Sequence, residues 1–422
     1  MTENFAYLMD LLASGASGTP ARSIDGFTAW EDVLRLAEEQ SVYYVILYTL
    51  KRMTDCSLDK KRQTMLIAEL QTVAISTFAK RLRIIKLLED LEAYGIRAIL
   101  LKGYISASLY NSPDSRVSGD TDIYVEREDE KKAQEFLRQR GFTVLLRDSN
   151  SHHSNCSHPE LGHLELHTSF YDEIAEEVWF RHMGKQRYIE EPYEKIVTPD
   201  GAYYSLGKTD NLIFLALHMI KHFILEGMNL RQVMDFSLYY QAYEDTLDLP
   251  RFWKILEELK YSYFIKVILC ISTNYFHLPI QHAADSEDVK HVDMTAILDD
   301  METGGWFGNV NMLSHAKGLP EFNRLKLLHD RGKSGYHIFI LNWNTKGFLL
   351  ALFPSRKRLA EKFPYVRRSG LLIPVAWIHR VFTRGLTYLL RKKKVSDIVK
   401  DVDQIDDADP NRIALFRQIK II

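Results

Sequence analysis

Apolar residues recur at helical spacing through the first quarter of the chain. The stretch from residue 57 to residue 94 contains neither Gly nor Pro. Its apolar positions follow the period of one helix face. They are Leu66, Leu70, Val73, Ile75, Phe78, Leu82, Ile85, Leu87 and Leu91. Gly95 follows, and glycine is common directly after a helix. The pattern predicts a long amphipathic helix inside a helical N-terminal region, residues 1–95.

The pattern changes after Gly95 to short runs typical of strands. Ile96 to Leu101 is a brief apolar run, and residues 120–125 alternate between polar and apolar positions. Glu128 to Arg140 has helical spacing, Phe142 to Leu146 is again strand-like, and a hairpin is expected around residues 159–162. Residues 96–207 are therefore predicted to form a small mixed β-sheet core.

Helical spacing returns beyond residue 208. Leu212 to Leu225 and Leu230 to Tyr243 are strongly amphipathic. The sequence predicts a helical domain over residues 208–335 that flanks the core, followed by an aromatic and basic helical region, residues 336–422. The expected fold class is α+β, with a small mixed sheet embedded between N-terminal and C-terminal helical regions.

Charge is balanced over the whole chain but not everywhere along it. There are 54 basic and 56 acidic residues, for a net charge of −2, which disfavours a dedicated nucleic-acid-binding protein. Residues 379–394 are basic and contain no acid. This stretch is either a solvated helix face or a contact for an anionic partner or a membrane surface.

Cysteine usage and the start of the chain indicate a compartment. The three cysteines are far apart and lack CxxC spacing, which disfavours a disulfide framework. The first residues lack the basic start and apolar run of a signal peptide. The most apolar stretch, residues 338–354, is interrupted by polar residues, so no transmembrane segment is expected. These features predict a cytoplasmic protein.

Three carboxylates form the strongest candidate for chemistry. Asp120 and Asp122 lie two residues apart on a predicted strand, so both face the same side. Alternation from His163 to His167 places Glu165 on the polar face of a second strand. If the two strands are neighbours, the three acids form a site for Mg²⁺ or Mn²⁺, which prefer oxygen ligands. Such a site suits transfer of a phosphoryl or nucleotidyl group.

A glycine turn precedes these acids. The predicted strand ending at Leu101 runs into Lys102 and Gly103, where a short helix begins. Glycine at this junction lets a phosphate approach the backbone closely, and N–H groups at a helix start favour an anion.

These motifs resemble the DNA polymerase β-like nucleotidyltransferase superfamily, and more closely a bacterial family of uncharacterised nucleotidyltransferases. The resemblance covers roughly residues 60–390. The matching residues are Leu101-Lys102-Gly103, Arg116, Gly119-Asp120-Thr121-Asp122, Glu165-Leu166-His167, His218, Lys221, His222, Arg231 and Asp235. It implies a nucleotidyltransferase core that takes an NTP, with ATP as the expected nucleotide.

The resemblance also implies an arrangement of the site. Lys102, Gly103, Arg116, Lys221 and Arg231 are the candidates for nucleotide binding, and Asp235 is expected to orient Arg231. An acceptor hydroxyl would attack the α-phosphorus of the NTP, with Glu165 nearest to the attacking oxygen. The acceptor stays open: a small molecule, a peptide or protein side chain, or a short RNA end.

Three other interpretations compete with this one. Tyr104 follows the glycine where the superfamily often has a second small residue, so a nucleotide-binding module without catalysis is an alternative. A zinc-dependent hydrolase is another, since His152, His153, Cys156, His158, His163 and His167 crowd one predicted hairpin. Residues 201–209 resemble a P-loop, but five residues separate the two glycines where that motif needs four.

Overall fold

The computed structural model of the chain describes residues 1–145, 153–170, 193–225, 227–281, 289, 294–304, 415 and 418–420. All of them belong to one compact unit formed by Met1–Leu313 with Asn411–Ile422. The other unit, Ser314–Pro410, lies outside the described residues. The four domain boundaries drawn from the sequence therefore stay predictions.

Four helices form the N-terminal region, as the apolar spacing predicts. They are α1 (Glu3–Ser17), α2 (Trp30–Glu39), α3 (Tyr43–Arg52) and α4 (Lys60–Ala93). The Asp59 carboxylate accepts hydrogen bonds from the backbone N–H groups of Lys61 and Arg62, which starts α4. Gly95 ends it with a φ of +79°, a conformation that glycine adopts without strain. The helix α4 packs against the sheet and carries Lys80 and Arg81 to the edge of the site described below.

A mixed sheet of seven strands forms the core of the described residues. Its strands are β1 (Ile99–Leu101), β2 (Asp120–Tyr124), β3 (Thr143–Val144), β4 (His153–His158), β5 (Gly162–His167), β6 (Tyr193–Thr198) and β7 (Gly201–Leu206). Their order across the sheet is β3-β4-β5-β2-β1-β7-β6. The short helices α5 (Gly103–Ala107) and α6 (Glu130–Gln139) connect strands of this core. The predicted α+β class with a mixed sheet is confirmed.

The hairpin of β6 and β7 is the part of the sheet that the sequence analysis missed. Its two strands are antiparallel, and β7 pairs with β1 in parallel. The turn between β6 and β7 ends at Gly201, whose φ is +130°. Residues 201–206 are therefore a strand, and Lys208 begins the next helix, so this stretch is not a P-loop.

Helices cover the sheet after β7. They are α7 (Lys208–Leu225), α8 (Leu230–Tyr243), α9 (Leu249–Glu258), α10 (Ser262–Tyr275) and α11 (Met294–Gly304). Asn229 and Gln232 form a capping box at the start of α8. Large apolar side chains such as Phe223, Phe236 and Phe264 are fully buried between these helices. This packing fixes α7 and α8 against the site.

Several predicted features lie outside the described residues. They are the basic stretch 379–394, the apolar stretch 338–354 and nearly all of the region 336–422. Among the described helices, none combines the length and apolar character needed to cross a membrane.

Candidate metal centre and its cationic surroundings

The register of two parallel strands brings the predicted acids together. In the pairing of β2 with β5, Asp122 lies directly opposite Glu165, and Asp120 lies opposite His163. Alternating residues of β5 are buried at Leu164 and Leu166, so Glu165 points to the other face, as its sequence pattern predicts. Two separate segments of the chain thus place carboxylates side by side.

A third side chain completes this cluster. One ligand atom from each of Asp122, Glu165 and His167 lies within 4.8 Å of the others. His167 Nε2 is 3.0 Å from Asp122 Oδ1 and 3.2 Å from Glu165 Oε2. Two carboxylates and an imidazole are a donor set that suits a divalent cation. We call Asp122, Glu165 and His167 the acid cluster.

Asp120 lies outside the acid cluster, although it shares a strand face with Asp122. The negative charge of Asp120 acts on Lys80 of α4, on Arg116 before β2 and on Arg231 of α8. The predicted role of Asp120 as a metal ligand therefore stays a prediction.

Lys102 and Gly103 form the turn beside the acid cluster. Lys102 has a φ of +40°, and Gly103 has a φ of +30°. A non-glycine residue in this region is strained, and such strain is found at binding and catalytic sites. Lys102 Nζ lies 3.2 Å from Asp122 Oδ2. The turn therefore directs a cation at the most deeply buried acid of the cluster.

The two best-buried groups of the cluster, Asp122 and His167, shift each other's pKa values. Burial alone would raise the pKa of Asp122, but the charge of Lys102 and the hydrogen bond from His167 hold that pKa below its ordinary value. Burial likewise opposes protonation of His167, whereas its hydrogen bonds to Asp122 and Glu165 raise its pKa. Asp122, with a side chain 3% exposed, is thus an ionised carboxylate that pairs with the Lys102 ammonium and accepts a hydrogen bond from His167.

His218 holds Lys102 from the opposite side. Lys102 Nζ donates to His218 Nε2 at 2.7 Å. His222 Nε2 lies 3.2 Å from His218 Nε2. Burial and then the charge of Lys102 lower the pKa of His218 well below its ordinary value. His218 is therefore neutral and accepts a hydrogen bond. Lys221 lies on the same helix and adds positive charge to these surroundings.

His218→Ala is expected to lower the free energy of unfolding by about 1–3 kcal/mol, because it removes one of the two side-chain partners of the half-buried Lys102 ammonium and leaves only Asp122. Urea unfolding followed by circular dichroism measures the loss. His163→Ala is the matched control, since His163 is exposed. Equal stability of the two variants would show that the contact between Lys102 and His218 contributes nothing.

Arg116 and Asp235 form a buried ion pair behind Asp120. Arg116 Nε donates to Asp235 Oδ1 at 3.1 Å, and its Nη2 donates to Asp235 Oδ2. The Tyr110 hydroxyl donates to Asp235 Oδ1 at 2.8 Å. Arg231 instead donates through Nη1 to the Val117 carbonyl at 3.2 Å. Asp235 thus pairs directly with Arg116, and among the described residues no hydrogen bond joins it to Arg231, so a role for Asp235 in orienting Arg231 stays a prediction.

The hairpin predicted as a zinc-site alternative has its sulfur on the wrong face. Cys156 pairs with Leu164 in the antiparallel register of β4 and β5, whereas His163 and His167 lie on the opposite face. Burial raises the pKa of the Cys156 thiol to about 11, which disfavours the thiolate that zinc binds. Among the described residues, metal-binding side chains come together in the acid cluster. It takes Glu165 and His167 from this hairpin and Asp122 from β2.

Two contributors to this site carried little sequence signal. His167 belongs to an acid-x-histidine strand, but its position within reach of both acids depends on the pairing of β5 with β2. Lys80 is one of many cations on α4, and only the packing of that helix against the sheet brings it near Asp120.

Comparison with known proteins gives one family. A family model described as uncharacterised nucleotidyltransferase matches residues 28–277, which is more than half of the chain. The match spans α2 to the end of α10 and includes the acid cluster, the turn at Gly103 and the helices α7 and α8. No curated protein matched the chain.

Proposed function

We propose, from the premise that this chain belongs to the family of uncharacterised nucleotidyltransferases, that it transfers an NMP from an NTP to an acceptor hydroxyl. The observation that carries the proposal is the direct register of Asp122 with Glu165 on parallel strands, next to the positive-φ turn at Lys102 and Gly103. ATP is the proposed nucleotide.

The acid cluster fits a divalent cation by its chemistry. Asp122 and Glu165 offer carboxylate oxygens, His167 offers a nitrogen, and Asp120 lies two residues from Asp122 on the same strand face. We propose Asp120, Asp122 and Glu165 as ligands of Mg²⁺ or Mn²⁺, with His167 as a further donor. When bound, such an ion neutralises charge on the phosphates and makes an acceptor hydroxyl more acidic.

The basic residues around the cluster are proposed to bind the triphosphate. Lys102 and the backbone of Gly103 lie at the acid cluster, and Arg116 and Arg231 lie near Asp120. Lys221 lies one turn from His218 and supplies charge from α7. Charge-assisted hydrogen bonds from such groups position phosphate oxygens and neutralise them.

The proposed reaction exchanges one phosphorus–oxygen bond for another. The acceptor oxygen bonds to the α-phosphorus, and the bond from that phosphorus to the bridging oxygen of pyrophosphate breaks. The acceptor proton passes to Glu165, which at 28% exposure is the more accessible acid of the cluster, and then to solvent. Pyrophosphate leaves with the electron pair of the broken bond.

Incubation of the purified chain with α-labelled ATP, Mg²⁺ or Mn²⁺ and candidate acceptors tests this function. We expect pyrophosphate release and label on one acceptor class. The three classes to supply are small hydroxylated molecules, proteins and short RNA. Binding of ATP without pyrophosphate release from any of them would favour the alternative, a nucleotide-binding module that lacks catalysis.

Glu165→Gln is expected to lower kcat by about 100-fold or more while the KM for the NTP changes by less than about threefold. The amide keeps the shape of the side chain but cannot take the acceptor proton. Steady-state kinetics at saturating Mg²⁺ measures both constants, and Glu128→Gln, at an exposed position, is the control. A rise in KM with unchanged kcat would reassign Glu165 to nucleotide binding.

A further inference from the structure

The helix α4 is held to the rim of the site by two neighbours of Lys80. Arg81 pairs with Asp114 at 2.6 Å and with Asp200 at 3.1 Å, so it ties α4 to the loop before β2 and to the turn between β6 and β7. Arg83 lies 3.5 Å from Glu160 in the turn between β4 and β5. These contacts hold the turn of α4 that carries Lys80, which directly precedes Arg81 and lies three residues before Arg83.

Lys80 reaches the start of β5. Its Nζ lies 3.6 Å from the position that a Cβ would occupy on Gly162. Gly162 directly precedes His163, the residue that pairs with Asp120 across the two strands. The ammonium group therefore lies near the end of β2 and β5 at which Asp120 is found.

The Lys80 ammonium is partly buried and lacks a paired acid. Burial lowers its pKa, and the negative charge of Asp120 offsets only part of that effect. Among the described residues, no side chain forms an ion pair or hydrogen bond with Lys80 Nζ. A half-buried ammonium without a side-chain acceptor has its N–H donors available to an anionic ligand.

Other donors near Asp120 are also unsatisfied. Arg116 Nη1 and Arg231 Nε are buried and have no hydrogen-bond acceptor within the described residues. Lys80, Arg116 and Arg231 come from three separate segments, and all three experience the charge of Asp120. An anion with several oxygens is the ligand that supplies acceptors to a group of cations of this kind.

We propose that Lys80 is a substrate-contacting residue that binds phosphate oxygens of the NTP at the Asp120 end of the site. This inference rests on the proposed function and adds the N-terminal helix α4 to the nucleotide site. Phosphate binding at Lys80 also joins the first helical region to the core, because Arg81 and Arg83 hold α4 against the loop before β2 and the turns before β5 and β7.

Calorimetric titration of the full chain with ATP, tripolyphosphate and adenosine, each in the presence of Mg²⁺, tests the contact. Lys80→Met is expected to weaken ATP and tripolyphosphate binding about 10- to 100-fold and to leave adenosine binding unchanged, because a charge-assisted hydrogen bond to phosphate is lost. Lys80→Arg is expected to retain most of the affinity. Lys61→Met removes an exposed lysine from the same helix and controls for the change in net charge.

The outcomes separate this inference from the proposed function. Unchanged ATP affinity in Lys80→Met, or equal losses for ATP and adenosine, would overturn the phosphate contact while wild-type binding still supports nucleotide use. A wild-type chain that binds neither ATP nor tripolyphosphate would overturn both. Thermal melting of each variant shows that it is folded, and Lys80→Gln replaces Lys80→Met if the latter does not fold.

Discussion

Asp122→Asn is expected to lower nucleotidyl transfer on the order of 1,000-fold. A carboxylate that holds a divalent cation contributes several kcal/mol to stabilising charge in the transition state, and each factor of ten corresponds to about 1.4 kcal/mol. Asp122 is the acid on which this loss should be largest, because it is 3% exposed and directly contacts both Lys102 and His167. Single-turnover kinetics with labelled ATP measures the loss.

Two controls separate chemistry from folding in that experiment. Asp55→Asn makes the same change at an exposed position and should keep wild-type activity. Direct titration of Mn²⁺ into Asp122→Asn, followed by electron paramagnetic resonance, should show weaker ion binding without any turnover. Wild-type activity in the folded variant would mean that the acid cluster is not the catalytic centre.

Asp235→Ala is expected to lower the free energy of unfolding by about 3–5 kcal/mol, since it leaves the Arg116 guanidinium buried without its counter-charge. The Arg116 and Asp235 side chains are 6% and 7% exposed, so the unpaired guanidinium is poorly solvated. The Tyr110 hydroxyl loses its acceptor in the same variant. Chemical denaturation measures the loss, and Asp25→Ala at an exposed loop position is the control.

A double variant tests whether the cost comes from the unpaired charge. Arg116→Met combined with Asp235→Leu removes both charges and fills the space with apolar atoms, so its loss should be smaller than the sum of the single losses. Additive losses would mean that the two residues contribute independently, and that their contact is not what stabilises this part of the fold.

The local structure was largely readable from the sequence. Periodicity depends on near neighbours, so the spacing of apolar residues predicted a helix that the structure places at Lys60–Ala93. The same reasoning placed Asp120 and Asp122 on one face of a strand and Glu165 on the polar face of another. The order of these motifs along the chain resembles that of nucleotidyltransferases and predicted a nucleotidyltransferase core. The family match over residues 28–277 supports that prediction.

Pairings between distant segments were not readable in this way. The hairpin of β6 and β7 and the parallel pairing of β7 with β1 depend on how the whole chain packs. The partner of Asp235 was missed for the same reason: Arg231 is four residues away on one helix, but Arg116, 119 residues away, takes both carboxylate oxygens. Sequence spacing identifies the partners of a buried acid that lie on its own helix. It does not identify partners that come from distant segments of the chain.

The sequence by itself determined which residues share a face, because the backbone period of each helix or strand sets side-chain direction. It thereby determined the carboxylates available for chemistry. Tertiary structure alone decided which faces meet: that Asp122 pairs with Glu165 in register, that His167 joins them, and that Lys80 approaches Asp120 from a distant helix. Those contacts depend on packing and strand order across many residues, and no local period encodes them.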